Sequence, residues 1–319
     1  MNSAYAAPAS LTDLLEQLGQ GGARPAGGAT DLLPRLRNGL LPEGRLVSTR
    51  IPELRRVEIG AGGISLGAGL TLRELIDHEG LRECHPVIGR CLSLVGAPQH
   101  RNSGTLGGNL CLDTRCSWYN QSLRWRQAVD FCLKYEGEGC HVVPGSGRCH
   151  ATMSSDGVAV FSALGARIRI QSARGGRILP LLDLYRHNGM DHLELAADEL
   201  VTHVLLDLPG PGARADYQKL RQRESFDYPL LGLAGVLRLE EQRIAGLRLC
   251  FIAVESWPLL LDEEALGIGG LEPAAVDRAQ VLARCREACR PLGNSPLSPA
   301  WRREMVPVMA GRVLANLGL

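Results

Sequence analysis

Four cysteines, Cys116, Cys132, Cys140 and Cys149, stand 16, 8 and 9 residues apart in the stretch CSWYNQSLRWRQAVDFCLKYEGEGCHVVPGSGRC. The segment is polar and glycine-bearing, so these thiols do not belong to a periodic apolar face. Four thiolates complete the ligand set of a cubane iron–sulfur cluster or of a structural zinc. Zinc sites commonly carry paired C-x-x-C knuckles, and this chain has none. Cys140-His141 and Cys149-His150 offer a mixed Cys/His zinc set, disfavoured because adjacent residues rarely both reach one tetrahedral metal. A loop of unligated cysteines is the remaining alternative. Among the chain's ten cysteines, Cys84, Cys91, Cys250, Cys285 and Cys289 lie in apolar or helical sequence and read as small buried hydrophobes. Cys285 and Cys289 would share a helix face, but two thiols fall short of a metal site. Cys111 is not assigned as a ligand.

Two glycine-rich segments carry the other chemistry. Ala26-Gly27-Gly28-Ala29-Thr30-Asp31 precedes an expected helix, DLLPRLR, and Gly104-Thr105-Leu106-Gly107-Gly108-Asn109-Leu110 follows about 75 residues later. Paired glycines let backbone approach a ligand closely, and successive amides can form a nest for phosphate oxygens. Neither segment is the G-x-G-x-x-G fingerprint or a P-loop. Two such loops could grip the two phosphates of a dinucleotide; tight turns without a ligand are the alternative.

The elements that must position these loops are short and mixed. Leu11, Leu14, Leu15 and Leu18 recur at helical spacing after Ser10, which is placed to cap, and the helix stops at Gly19. VSTRIPELRRVEIGAGGISLGAGLTLREL reads as strand–turn–strand and then a helix near Leu72 to His78. Trp118 to Tyr135 has helical character, whereas EGEGCHVVPGSGRC is turn-rich. VAVFSALGARIRIQSARGGRILPLLDLY reads as two strands and a helix. A Pro/Gly break ends a further strand near residue 210. YPLLGLAGVLRLEEQRIAGLRLCFIAV then gives an antiparallel pair, and Ala/Leu-rich helices follow. The pattern is that of an α+β architecture.

At 319 residues the chain has room for two or three domains. A formal charge of +1 and 4% aromatic residues give no reason to expect nucleic acid as a partner. The N-terminus lacks a signal-peptide pattern, and no run of about 18 apolar residues predicts membrane insertion. A cytoplasmic, reducing location is expected, in which clustered cysteines bind metal or do redox work.

AGGATDLLP and QHRNSGTLGGNL resemble the two FAD-holding loops in flavin subunits of the xanthine oxidase family of molybdenum enzymes. SALGARIRI and ADYQKLRQRESFDYPLL extend that resemblance over the whole chain. The resemblance implies an N-terminal FAD-binding subdomain (residues 1–58), a middle one (59–210) and a C-terminal flavoprotein domain of strands and helices (211–319). It implies FAD contacts from Gly27, Gly28, Ala29, Thr30, Asp31, Leu32 and Leu33, and from Gly104, Thr105, Gly107, Gly108 and Asn109. Asp156 matches a family aspartate after the GGN loop, and Lys219 a lysine near the flavin ring. Ala29 departs from the family, which more often has Gly, Gln or Thr there, so the second loop is the safer assignment.

In this family the GGN loop and the aspartate are usually a few residues apart; here 46 residues separate Asn109 from Asp156. GTLGGNLCLDTRC and the 16, 8, 9 spacing are similar to one branch, the flavin subunits of 4-hydroxybenzoyl-CoA reductases. That similarity implies an insertion at about residues 112–152 binding [4Fe-4S] through Cys116, Cys132, Cys140 and Cys149. Arg115, Arg124, Arg126, Lys134 and Arg148 would then mostly be solvated surface, some of them offsetting cluster charge. Trp118, Tyr119, Trp125, Phe131 and Tyr135 would shield it. The implied role is electron relay between a ferredoxin, the cluster, FAD, [2Fe-2S] clusters on a small subunit and molybdopterin on a large one. The implied assembly is two heterotrimers, with no catalytic residue on this chain. Two alternatives stay open: the flavin subunit of a molybdenum hydroxylase or dehydrogenase for another aromatic, aldehyde or N-heterocycle, and a non-enzymatic nucleotide-binding module with a zinc loop.

Overall fold

Ser10 accepts a hydrogen bond from the Asp13 amide at 3.2 Å and starts helix Leu11–Gly19, which buries Leu14, Leu15 and Leu18. In the computed structural model, which describes residues 4–319, this helix packs on a small parallel sheet. Its strands are β1 (Tyr5–Ala6), β2 (Ala23–Ala26) and β3 (Arg45–Ser48), in the order β1-β3-β2. The first three residues of the expected N-terminal subdomain lie outside the described residues. Helix Leu32–Arg37 follows β2, so the first glycine loop occupies a strand-to-helix turn.

The second sheet is antiparallel: β4 (Val57–Gly60), β5 (Gly63–Gly67), β6 (Arg167–Ser172), β7 (Gly175–Pro180) and β8 (Leu200–Leu206), ordered β4-β5-β8-β6-β7. Thr71 and Glu74 form a reciprocal capping box at the head of helix Leu72–Asp77, where a helix is expected from sequence. The second glycine loop turns into helix Leu106–Leu110, capped by the Thr105 hydroxyl. The third sheet is a meander, β9 (Arg214–Leu220), β10 (Leu231–Glu240), β11 (Arg243–Ile252) and β12 (Leu259–Asp262). Helices Arg278–Ala288 and Pro299–Leu317 share a core with it.

Helix Asp156–Ala163 is buried at every residue, and it packs on β10 and β11 as well as on the middle core. A helix apolar on all sides belongs in an interior. Its one charge, Asp156, sits in the first turn, where a carboxylate suits the helix dipole. Tyr217 and Lys219 of β9 donate to it at 2.6 and 3.0 Å, tying the third sheet to the middle core through a buried ion pair.

The cysteine-bearing insertion leaves and rejoins the body at one place: Arg115 and Thr152 exchange backbone hydrogen bonds of 2.8 and 2.7 Å. The helix expected from Trp118 to Tyr135 is confined to Leu123–Ala128, begun by the Ser122 cap. Asp130 and Phe131 take φ of 58° and 57°, which ends it. Gly137 is required by close approach, since a Cβ there would lie 2.5 Å from the Cys132 amide nitrogen.

Asn294, from the chain between the two C-terminal helices, holds both ends of the insertion. Its side-chain amide donates to the His150 carbonyl at 2.7 Å, and its backbone carbonyl accepts from Ser117 N at 3.0 Å. Arg302 steadies it, donating to Asn294 Oδ1 at 3.3 Å and to the Leu230 and Leu292 carbonyls at 3.0 Å. Burial pulls the Arg302 guanidinium down to about 10, so it stays charged near neutrality. Asn294→Ala leaves the His150 carbonyl unpaired and is expected to cost about 1–3 kcal/mol. Urea denaturation measures the loss, and limited proteolysis should show faster cleavage within residues 117–150.

Candidate functional site

The two glycine loops meet backbone to backbone. A Cβ on Gly28 would fall inside the Ser103 carbonyl, and one on Gly27 would lie 2.7 Å from Thr105 Oγ1. Gly28 is therefore required by loop–loop contact, which its sequence context did not reveal. Ala29 takes φ of 53°, a left-handed conformation that favours glycine. Around this contact opens a cavity of about 750 Å³, a volume suited to a large organic ligand.

Gly27, Gly28, Ala29, Thr30, Asp31 and Leu32 line the cavity, as do Gly104, Thr105, Gly107, Gly108, Asn109 and Asp156. Leu33 and Lys219 are not among the lining residues. The Lys219 ammonium lies beneath Asp156, donating to it and to the Leu94 carbonyl at 2.9 Å. Burial pushes the Asp156 carboxyl up, and the donors Lys219 and Tyr217 oppose that shift. Asn109 is fixed from behind by the Ser155 hydroxyl at 2.9 Å.

The loops differ in what they can offer an anion. In the second, the amides of Leu106 and Gly107 donate to Leu70 and Ala68, and those of Gly108 and Asn109 to Thr105. In the first, the amides of Gly28, Ala29 and Thr30 find no protein acceptor among the described residues. Unpaired donors on a concave turn are the chemistry a diphosphate needs. These residues fit an FAD-like dinucleotide.

A third wall comes from residues 226–228, after β9. Arg115 donates to the Asp31 carboxylate and, at 2.5 Å, to the Tyr228 hydroxyl; its guanidinium carbon stands 4.4 Å from the Tyr228 ring centroid. The Phe226 ring meets His100 edge-on at 4.9 Å. None of Arg115, His100, Phe226 or Tyr228 has a periodic or spacing signal. Only the fold brings residues 31, 115 and 228 together.

Cys116, Cys132, Cys140 and Cys149 are 6–8% exposed and line one small pocket with Trp118, Tyr119, Lys134 and His141. The Trp118 amide donates to Cys116 Sγ at 3.5 Å, and the Ala151 amide to Cys149 Sγ at 3.4 Å. Burial pushes the Cys116 thiol up to about 12 and raises that of Cys149, and neighbouring cysteine charges add to both shifts. Ionising Cys116 and Cys149 together therefore calls for a cation beside them. Among the described residues no group of three or more Cys, His, Asp or Glu side chains is arranged to hold a single ion. The histidines are engaged elsewhere: His141 stacks on Trp118 at 4.6 Å, and His150 meets Ser146 Oγ at 2.8 Å.

Several surroundings differ from the sequence expectation. Arg126 is 1% exposed and binds the Asn38 and Gly39 carbonyls at 2.8 and 3.1 Å. The Lys134 side chain is buried and Arg115 lines the large cavity, so of the five cations Arg124 is the one exposed as expected. Tyr119 is buried against the cage and Trp118 and Tyr135 pack on it, while Trp125 stands 36% exposed. Cys91, Cys250, Cys285 and Cys289 are buried, Cys84 packs against the middle core, and Cys111 lines the cavity wall.

Residues 1–209 match the family described as the FAD binding domain in molybdopterin dehydrogenase. The chain is 31% identical over 228 residues to the FAD-binding subunit of an aldehyde oxidoreductase from Escherichia coli, covering 68% of this chain and 71% of that one. It is 27% identical over 316 residues to the carbon monoxide dehydrogenase medium chain of Afipia carboxidovorans, covering 97% and 94%. Among solved structures, a chain of CO dehydrogenase from Oligotropha carboxidovorans superposes with a TM-score of 0.79 at 22% identity, covering 100% of this chain and 98% of that one. A chain of quinoline 2-oxidoreductase from Pseudomonas putida gives 0.75 at 22%, covering 100% and 97%, so both share its α+β fold. With two-thirds of its length matched and a cavity built from both loops, the chain belongs to the family of FAD-binding domains of molybdopterin dehydrogenases.

Proposed function

We propose that the chain is the flavin subunit of a molybdenum enzyme and carries, beside FAD, a [4Fe-4S] cluster on Cys116, Cys132, Cys140 and Cys149. The observation behind this reading is the adjacency of the two sites. Arg115 lines the large cavity and Cys116 lines the cysteine cage, and they are consecutive residues. When bound, FAD and the cluster supply the electron-carrying chemistry. The chain's own residues bind and insulate. The Gly28–Thr30 amides face the phosphates, Arg115 and Tyr228 wall the cavity, and Tyr119 and Trp118 keep water from the sulfurs. The amides of Trp118 and Ala151 donate to two of the sulfurs, one of the interactions that set a cluster's potential. No residue of this chain would touch the substrate of the complex.

The partners proposed are a large molybdopterin-binding subunit and a small [2Fe-2S] subunit, in two copies of a heterotrimer, with a ferredoxin as external carrier. The cysteine spacing favours reductive dehydroxylation of 4-hydroxybenzoyl-CoA on the large subunit. The alternative is the flavin subunit of a hydroxylase or dehydrogenase, supported by relatives named for aldehyde, CO and nicotinate.

Iron, acid-labile sulfide and flavin analysis of the anaerobically purified chain tests the cofactor reading. Four irons and four sulfides per FAD are expected for a [4Fe-4S] centre; stoichiometric zinc without iron would overturn it. Cys132→Ser is expected to lose cluster iron and keep FAD, because the cavity walls do not include that residue. Gly28→Ala is expected to do the reverse. Its methyl group would push the two loops apart, weakening FAD binding at least tenfold, or about 1.4 kcal/mol, while iron content stays unchanged. Fluorescence titration of the deflavinated chain reads that affinity.

A further inference from the structure

Between the cysteine cage and the flavin cavity lies a cluster of buried charges that neither site accounts for alone. Its centre is Asp113, with a side chain 6% exposed. On the cage side its Oδ1 accepts from the Lys134 ammonium at 2.7 Å, and Lys134 lines the cysteine pocket. On the cavity side its Oδ2 meets the Arg35 guanidinium at 2.7 Å, and His192 Nδ1 stands 3.7 Å from Oδ1. Arg35 and His192 both line the large cavity. Despite deep burial, the Asp113 carboxyl is held below the usual carboxylate range by Lys134 and Arg35, while burial pulls the His192 imidazole down to about 4 and leaves it neutral.

The protonation of Lys134 follows from its neighbours. The hydrogen bonds around its nitrogen decide it. Nζ lies 3.2 Å from Thr114 O, 2.5 Å from Thr114 Oγ1 and 2.8 Å from Gly189 O, besides Asp113. The Thr114 hydroxyl donates its own proton to Gly189 O at 2.5 Å, so towards Lys134 it can only accept. Four acceptors around one nitrogen call for the three donors of an ammonium. The Tyr119 ring, 4.7 Å away at its centroid, adds a cation–π contact. One anion against two fixed cations leaves this wall net positive.

We infer that Lys134 is a positioning residue for the cluster. Anchored by Asp113, its ammonium is the fixed positive charge beside which the four thiolates assemble. Through Asp113 that charge is linked to the Arg35–His192 wall, so that the potentials of the two cofactors are coupled. A buried cation beside an anionic centre favours the reduced, more negative form, and the low-dielectric interior does not screen it away. Coupling between two sites is reciprocal, so a charge removed on the flavin side is felt at the cluster. The inference rests on the proposed [4Fe-4S] reading.

The test is a redox titration of the full chain, following the cluster by electron paramagnetic resonance and the flavin by absorbance. Lys134→Met keeps the length of the side chain and removes the charge; the midpoint, read from the resonance of whatever cluster is present, is expected to move to more negative potential. Lys134→Arg is expected to restore most of the shift. Arg35→Gln, on the opposite wall, is expected to move the cluster midpoint in the same direction by less, and it carries the question if Lys134→Met does not fold. An unchanged cluster midpoint in Lys134→Met, or in Arg35→Gln if only that variant folds, overturns the inference. So does an equal shift in Lys134→Arg and Lys134→Met. A wild-type chain without iron overturns the cofactor reading itself, and that failure is seen before any substitution is made.

Discussion

The site depends on two loops from different sheets touching through bare backbone. Gly28 ends the approach from the parallel sheet, and Ser103–Gly104 meets it from the helices packed on the antiparallel one. Any side chain at residue 28 would hold the loops apart and change the cavity's shape. That contact also decides which amides are free. The second loop uses its N–H groups to bind Ala68, Leu70 and Thr105, acting as a buttress, while the first presents its own to the cavity. Two loops that look alike in sequence thus differ in structure, one with amides left open beside the cavity and the other with amides tied to neighbouring backbone.

The cysteine insertion meets a different constraint. It has little apolar core of its own: Leu40, Tyr119, Ala151, Cys116, Cys132 and Cys149 make up its buried cluster. Polar groups from elsewhere hold it in place. Asn294 and Ser256 bind it from the C-terminal side, and Arg126 reaches back to the Asn38 and Gly39 carbonyls. Buried donors and acceptors are costly unless paired, and here the pairing fixes the thiols' framework.

Much of this was legible from residue order. Ser10 and the leucines after it marked the first helix, the run from Tyr228 to Val254 marked the antiparallel pair β10 and β11 of the third sheet, and the two glycine segments marked the cavity. The cysteine spacing singled out four thiols that the fold does bring to one pocket. What could not be read was anything resting on contacts across sheets. Arg115, Arg126 and Lys134 look like surface charges in sequence, because nothing local tells a cation that its partners lie 84, 88 and 21 residues away, at Asp31, Asn38 and Asp113. The stop at Asp130–Phe131 was missed for a related reason. Left-handed backbone at a non-glycine residue is imposed by tertiary packing and leaves no compositional trace.

The bridge between Arg115 and Thr152 has an architectural corollary. Since the segment departs and returns at one hydrogen-bonded pair, closing the chain without it would require only a short turn. The entropic cost of such a closure grows slowly with the length of the loop it replaces. The surrounding scaffold is therefore indifferent to how much chain hangs from that junction. An appendage can be gained or lost there without redrawing the sheets on either side.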